Sequence, residues 1–173
     1  MLRSRWAVLA AILLTAPRAF AESDSKSVQV TCTILPRLEL SVSPDTGDQI
    51  AFGVLEQPAP GETANRSVKV QLNVFSNLGR PYQVTQLIRR SLATPEGLAI
   101  GDEQFRVLTA GSARGQLGTS EPVAMVPGVA ATLYTSDERG KSDAFSADYT
   151  LTVTPQTPAG EYGTEIVYTV TSL

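Results

Sequence analysis

The stretch VKVQLNVF, residues 68–75, places Val68, Val70, Leu72 and Val74 at every second position. Lys69, Gln71, Asn73 and Phe75 fill the positions between them. Successive side chains of a β-strand point to opposite faces, so this pattern predicts a strand with one core face and one mostly solvated face.

The same alternation extends over most of the chain, and helical periodicity is nearly absent. Two further long strands are predicted at 145–153 and 162–170, separated by the Pro- and Gly-containing turn 155–160. Weaker strands are predicted at 38–42, 49–55, 81–88, 104–109, 122–126 and 130–135, and 87–92 could admit one helical turn. Short strands separated by Gly- and Pro-rich turns favour an all-β, antiparallel two-sheet sandwich.

The N-terminal residues have the features of an export signal. Arg3 and Arg5 precede an apolar run of about nine residues and the small-residue pattern Ala19-Phe20-Ala21. We therefore predict a signal peptide at 1–21, cleaved after Ala21, because a membrane anchor would need about 20 apolar residues. Cleavage would leave a single β-sandwich domain, 22–173, exported to the periplasm, cell surface or extracellular space, with no membrane span.

Charge and composition restrict the function. The predicted mature chain has eleven basic and seventeen acidic residues, a net charge of −6 that argues against nucleic acid as a partner. Histidine is absent, which removes the usual general base and the commonest transition-metal ligand. The acidic residues, Asp137 and Asp143 among them, lie near predicted turns and indicate solvated loops. We expect no enzymatic activity, no cofactor and no metal site.

Cys32 is the single cysteine, so the chain cannot close an internal disulfide. It lies in the alternating segment Val28, Val30, Cys32 and Ile34, where we expect it to be a small buried apolar residue. The alternative is a free thiol that pairs between chains.

Both ends of the predicted mature chain resemble a known family. Residues 27–40, SVQVTCTILPRLEL, resemble the first strand of fimbrial subunits of the chaperone/usher type, in the alpha-fimbrial branch. Residues 158–171, PAGEYGTEIVYTVT, are similar to the closing Gly-x-Tyr strand of those pilins and of spore-coat-like secreted proteins.

The resemblance implies an immunoglobulin-like sandwich that lacks its last strand. A periplasmic chaperone, and then the N-terminal extension of another subunit, would fill that position by β-strand addition. The residues implied as the donor strand are Val28, Val30, Cys32 and Ile34, and those implied as the groove are Tyr162, Ile166, Tyr168 and Val170.

Two functions follow from the sequence. The first is a non-catalytic structural or assembly subunit of a bacterial surface appendage or coat, with other protein subunits or a chaperone as partners. The alternative is a monomeric secreted or cell-surface binding module that uses loops such as 110–120 or 135–143. The sequence leaves open whether residues 28–34 pair within their own chain or in a neighbour.

Overall fold

The computed structural model describes residues 24–173, and the predicted signal peptide lies outside them. The contacts between residues separate the chain into two units, with the boundary after Ile34. The larger unit comprises Leu35–Leu173. This unit is a two-sheet antiparallel β-sandwich, which confirms the predicted fold class. Its strands are β1 (Leu38–Pro44), β2 (Ala64–Ser76), β3 (Tyr82–Ile88), β4 (Phe105–Ala110), β5 (Gln116–Leu117), β6 (Val123–Ala124), β7 (Ala131–Thr135), β8 (Asp143–Val153) and β9 (Ile166–Ser172).

One sheet has the strand order β1-β2-β8-β4-β6, and the other has the order β5-β7-β3-β9. The long strands β2 and β8 pair from Ala64 opposite Val153 to Val74 opposite Asp143. The connection 154–165 then crosses from the first sheet to the second, where β9 pairs with β3. The Pro- and Gly-containing turn 155–160 therefore lies in a connection between the two sheets.

The core lies between the sheets and is formed by the predicted inward faces. Val68, Val70, Leu72 and Val74 are all buried, whereas Phe75 on the other face is half exposed. The core also contains Tyr82 and Val84 from β3, Phe105 and Val107 from β4, and Phe145 and Tyr149 from β8. Burying each large apolar side chain contributes about 1.5–3 kcal/mol.

Strand β7 departs from strict alternation. The register between β3 and β7 shifts between Val84 and Thr85, so that Leu133 and Tyr134, neighbours in sequence, are both buried. An extra residue in one strand of a pair produces this effect.

Several local predictions were wrong. Residues 49–55 form no strand, 87–92 contain no helical turn, and the predicted strand 162–170 begins only at Ile166. The predicted strand 122–126 shortens to Val123–Ala124, and the predicted loop 110–120 contains β5. For the predicted strands, the differences concern short or terminal segments, where a partner strand decides whether alternation becomes a strand.

Candidate functional site

The four residues implied as a donor strand lie outside every strand of the described chain. Residues 24–37 have no regular secondary structure. The exposed fractions of Val28, Val30 and Ile34 are 85%, 89% and 80%, and Cys32 is also exposed. The expectation that Cys32 is buried was therefore wrong, because the segment that carries it forms no strand. Water-exposed apolar side chains at alternate positions are costly unless a partner covers them.

The residues implied as a groove lie in and beside β9, at the edge of the four-stranded sheet. Within residues 24–173, β9 has a hydrogen-bonded neighbour on one side only, which is β3. Ile166, Tyr168 and Val170 face the core and are half-buried, while Thr169 and Thr171 are exposed. The outer edge carries neither lysine nor proline, the residues that commonly protect an edge strand from further pairing.

A cavity of about 1090 Å³ lies beside this edge. Its walls include Tyr162, Ile166 and Tyr168, so the structure brings three of the four predicted groove residues together. Val170 lies farther along β9, where it packs against the core without lining the cavity. The apolar lining from the sandwich comprises Leu92, Ile100, Phe105, Leu151 and Val153.

The opposite wall is formed by residues 48–57, which we call the strap. Ile50, Phe52 and Leu55 of the strap are half-buried against the core, and the Phe52 ring meets the Phe105 ring edge-on at 5.9 Å between centroids. Sequence reasoning missed this role because alternation at 49–55 predicts a strand. Gly53, with a φ of +69°, is one signal of the irregular backbone.

Polar side chains form a connected row that begins at Tyr168 in the cavity wall. The Tyr168 hydroxyl donates to the Tyr149 hydroxyl at 2.7 Å, and the Tyr149 hydroxyl donates to Gln86 Oε1. Gln86 Nε2 in turn lies 2.9 Å from the sulfur of Met125. Burial raises the pKa of Tyr168 to about 12 and that of Tyr149 well above its usual value of 10. Burial thus favours the neutral form of both hydroxyls, and the row links β9 to β8 and β3 through side-chain hydrogen bonds.

Asp143 and Asp137 have separate structural roles. Asp143 begins β8 and accepts hydrogen bonds from the hydroxyls of Tyr134 and Ser112 at 2.8 and 2.9 Å. Asp137 accepts a hydrogen bond from the backbone N–H of Lys141 at 3.2 Å within a turn. No group of three or more potential metal ligands occurs among residues 24–173. Within the same range, no helix is long and apolar enough to span a membrane.

Comparison with known protein families and with curated proteins finds no match to this chain.

Proposed function

We propose that this chain is a non-catalytic, exported structural or assembly subunit of a bacterial surface appendage or coat, and that subunits associate by β-strand addition. Among the described residues β9 pairs only with β3, and the proposal rests chiefly on the other edge of β9, which lies beside the apolar cavity. If the chain is built as the resemblance to fimbrial subunits implies, this edge would be the position of the strand that such subunits take from a partner. A periplasmic chaperone would occupy it first, and another subunit afterwards.

The described N-terminal segment has the chemistry that such an edge requires. Val28, Val30, Cys32 and Ile34 fall on one face when the segment is extended, and Gln29, Thr31 and Thr33 fall on the other. Main-chain hydrogen bonds to β9 would supply affinity, and the apolar face would fill the cavity. Covering Val28, Val30 and Ile34 gains about 1.5–3 kcal/mol for each side chain before the cost of association.

Light scattering of the exported, processed protein tests the proposal. We expect concentration-dependent polymers from the wild type and folded monomers from the variant with Val30→Asp and Ile34→Asp. The matched control carries Gln29→Asp and Thr33→Asp, which adds the same charge to the opposite face of the same segment. It should still polymerise.

Mixing the wild type with the Val30→Asp, Ile34→Asp variant provides a second readout, because this variant keeps an intact β9 edge. It can accept a donor segment but cannot supply one, so a small fraction added to the wild type should shorten the polymers. Wild-type protein that stays monomeric at high concentration would contradict strand addition and favour a closed binding module. Unfolding of the Val30 and Ile34 variant would assign the segment to the core of its own subunit.

A further inference from the structure

We infer that the strap, residues 48–57, is a local cover of the cavity that opens without unfolding of the sandwich and controls access to the β9 edge. The effect on access rests on the proposed function, whereas the local opening does not. The inference begins with how the strap is attached. Among residues 24–173, no backbone–backbone hydrogen bond involves the main chain of residues 48–58.

Side chains hold the strap at its two ends. At the first end, Thr46 Oγ1 donates to the carbonyl of Gln49 at 2.5 Å and accepts from the N–H of Ala51 at 3.3 Å. At the second end, Gln57 Nε2 donates to the carbonyl of Pro155 at 2.6 Å. Pro155 belongs to the connection between β8 and β9, so the Gln57 bond joins the strap to the opposite side of the cavity.

Between these ends, only partly buried apolar side chains hold the strap down. Ile50, Phe52 and Leu55 contact the core, yet each remains partly exposed, and the exposed fraction of Val54 is 90%. By contrast, β2 pairs with β8 from Ala64 to Val74 and buries Val70 and Leu72 completely. A segment with few buried contacts and no ladder hydrogen bonds opens at a lower free energy than the paired core.

Glycines with positive φ provide the pivots. Gly47 and Gly61 flank the strap with φ values of +103° and +88°. Apart from the neighbouring residues, no heavy atom lies within 4 Å of the position a Cβ would take at either glycine, so the surroundings are open on that side. Rotation at these two positions would lift the strap away from Phe105 while β1 and β2 stay paired.

Thiol labelling at single cysteines separates local opening from global unfolding. In a Cys32→Ser background, three variants are compared: Leu55→Cys on the inner side of the strap, Val54→Cys on its exposed side, and Val70→Cys in the core. We expect Val54→Cys to react at the rate of a free thiol. Leu55→Cys should react at least about a hundredfold faster than Val70→Cys, because paired cores open only near the global free energy of unfolding.

Denaturant dependence gives the decisive comparison. Labelling of Leu55→Cys should change little with low concentrations of urea, since local opening exposes little surface, whereas labelling of Val70→Cys should rise steeply. Identical rates and identical urea slopes at the two positions would overturn the inference, because the strap would then open only with the whole domain.

The access step is tested with a synthetic peptide of residues 24–36 and the processed Val30→Asp, Ile34→Asp protein as acceptor. Gln57→Ala removes one hydrogen bond and should raise both strap labelling and the peptide association rate about two- to tenfold. Gln116→Ala, at an exposed glutamine of β5, should change neither. If Gln57→Ala speeds labelling of the strap but leaves the peptide association rate unchanged, the strap does not control access to the β9 edge. If no variant binds the peptide, the proposed strand addition fails, and the labelling still decides whether the strap opens locally.

Discussion

The carboxylate of Asp143 joins three segments at one end of the sandwich, and its removal should weaken the fold measurably. Its Oδ2 accepts hydrogen bonds from the Tyr134 hydroxyl at 2.8 Å, the Ser112 hydroxyl at 2.9 Å and the N–H of Arg114 at 3.0 Å. Its Oδ1 accepts from the N–H of Ala144 at 2.9 Å. Asp143→Ala removes all of these bonds at once.

The size of the effect follows from which donors can reach water. Tyr134 is fully buried, so leaving its hydroxyl without an acceptor costs about 1–3 kcal/mol. Arg114 and Ala144 are exposed, so water can replace most of the hydrogen bonding that their N–H groups lose with the Asp143 carboxylate. We expect Asp143→Ala to lower the free energy of unfolding by about 3 kcal/mol, allowing for the loss of hydrogen bonds to a charged acceptor.

Urea unfolding of Asp143→Ala, Tyr134→Phe and the double variant measures the interaction itself. Tyr134→Phe removes the hydroxyl that Asp143→Ala leaves without an acceptor. The double variant should therefore be less destabilised than the sum of the two single variants, by about 1 kcal/mol or more. Strict additivity, or a loss below about 0.5 kcal/mol for Asp143→Ala, would refute the assigned role of the carboxylate.

The dependence of stability on acidic pH independently checks the role of Asp143. Partial burial opposes ionisation of Asp143, but the hydrogen bonds from Tyr134, Ala144 and Ser112 outweigh it and lower its pKa below 3.8. A pKa that is lower in the folded than in the unfolded protein gives stability that is complete above about pH 5 and is lost as the pH falls through the folded pKa. The stability difference between wild type and Asp143→Asn should therefore shrink on acidification, and a constant difference would contradict this.

Two further substitutions and one labelling experiment test other parts of the chain. Gly118→Ala should destabilise by about 1–3 kcal/mol in thermal unfolding, because a Cβ would lie 1.8 Å from the carbonyl oxygen of Thr132; an unchanged Tm would contradict that contact. The raised pKa of Tyr168, about 12, predicts stability that is kept below pH 10 and lost as the pH rises from 10 towards 12. Tyr168→Phe should reduce this alkaline loss in urea titrations, and an unaltered loss would argue against the burial of its hydroxyl. Cys32 is exposed in the structure. In monomers of the Val30→Asp, Ile34→Asp variant it should therefore react with a thiol reagent as fast as in the urea-unfolded chain. Strong protection of Cys32 from the reagent would contradict its exposed position.

The alternation at 68–75 and 145–153 predicted both the strands and their faces because side-chain direction along a strand is a local property. Each apolar position of β2 that the pattern assigned to the core is buried in the sandwich. The all-β, two-sheet class followed from the same period and from the spacing of the turns. Neither result needed information about which strands become neighbours.

Only the tertiary structure decided how the strands combine. Residues 28–34 and 49–55 alternate as β3 does, yet no strand in the described part of the chain pairs with them, because a pattern of period two does not specify a partner strand. The open edge of β9, the cavity beside it and the meeting of Ser112, Tyr134 and Asp143 likewise depend on contacts between distant parts of the chain. Such contacts form when loops close and sheets pack, so the local sequence specifies the pieces and long-range packing specifies their arrangement.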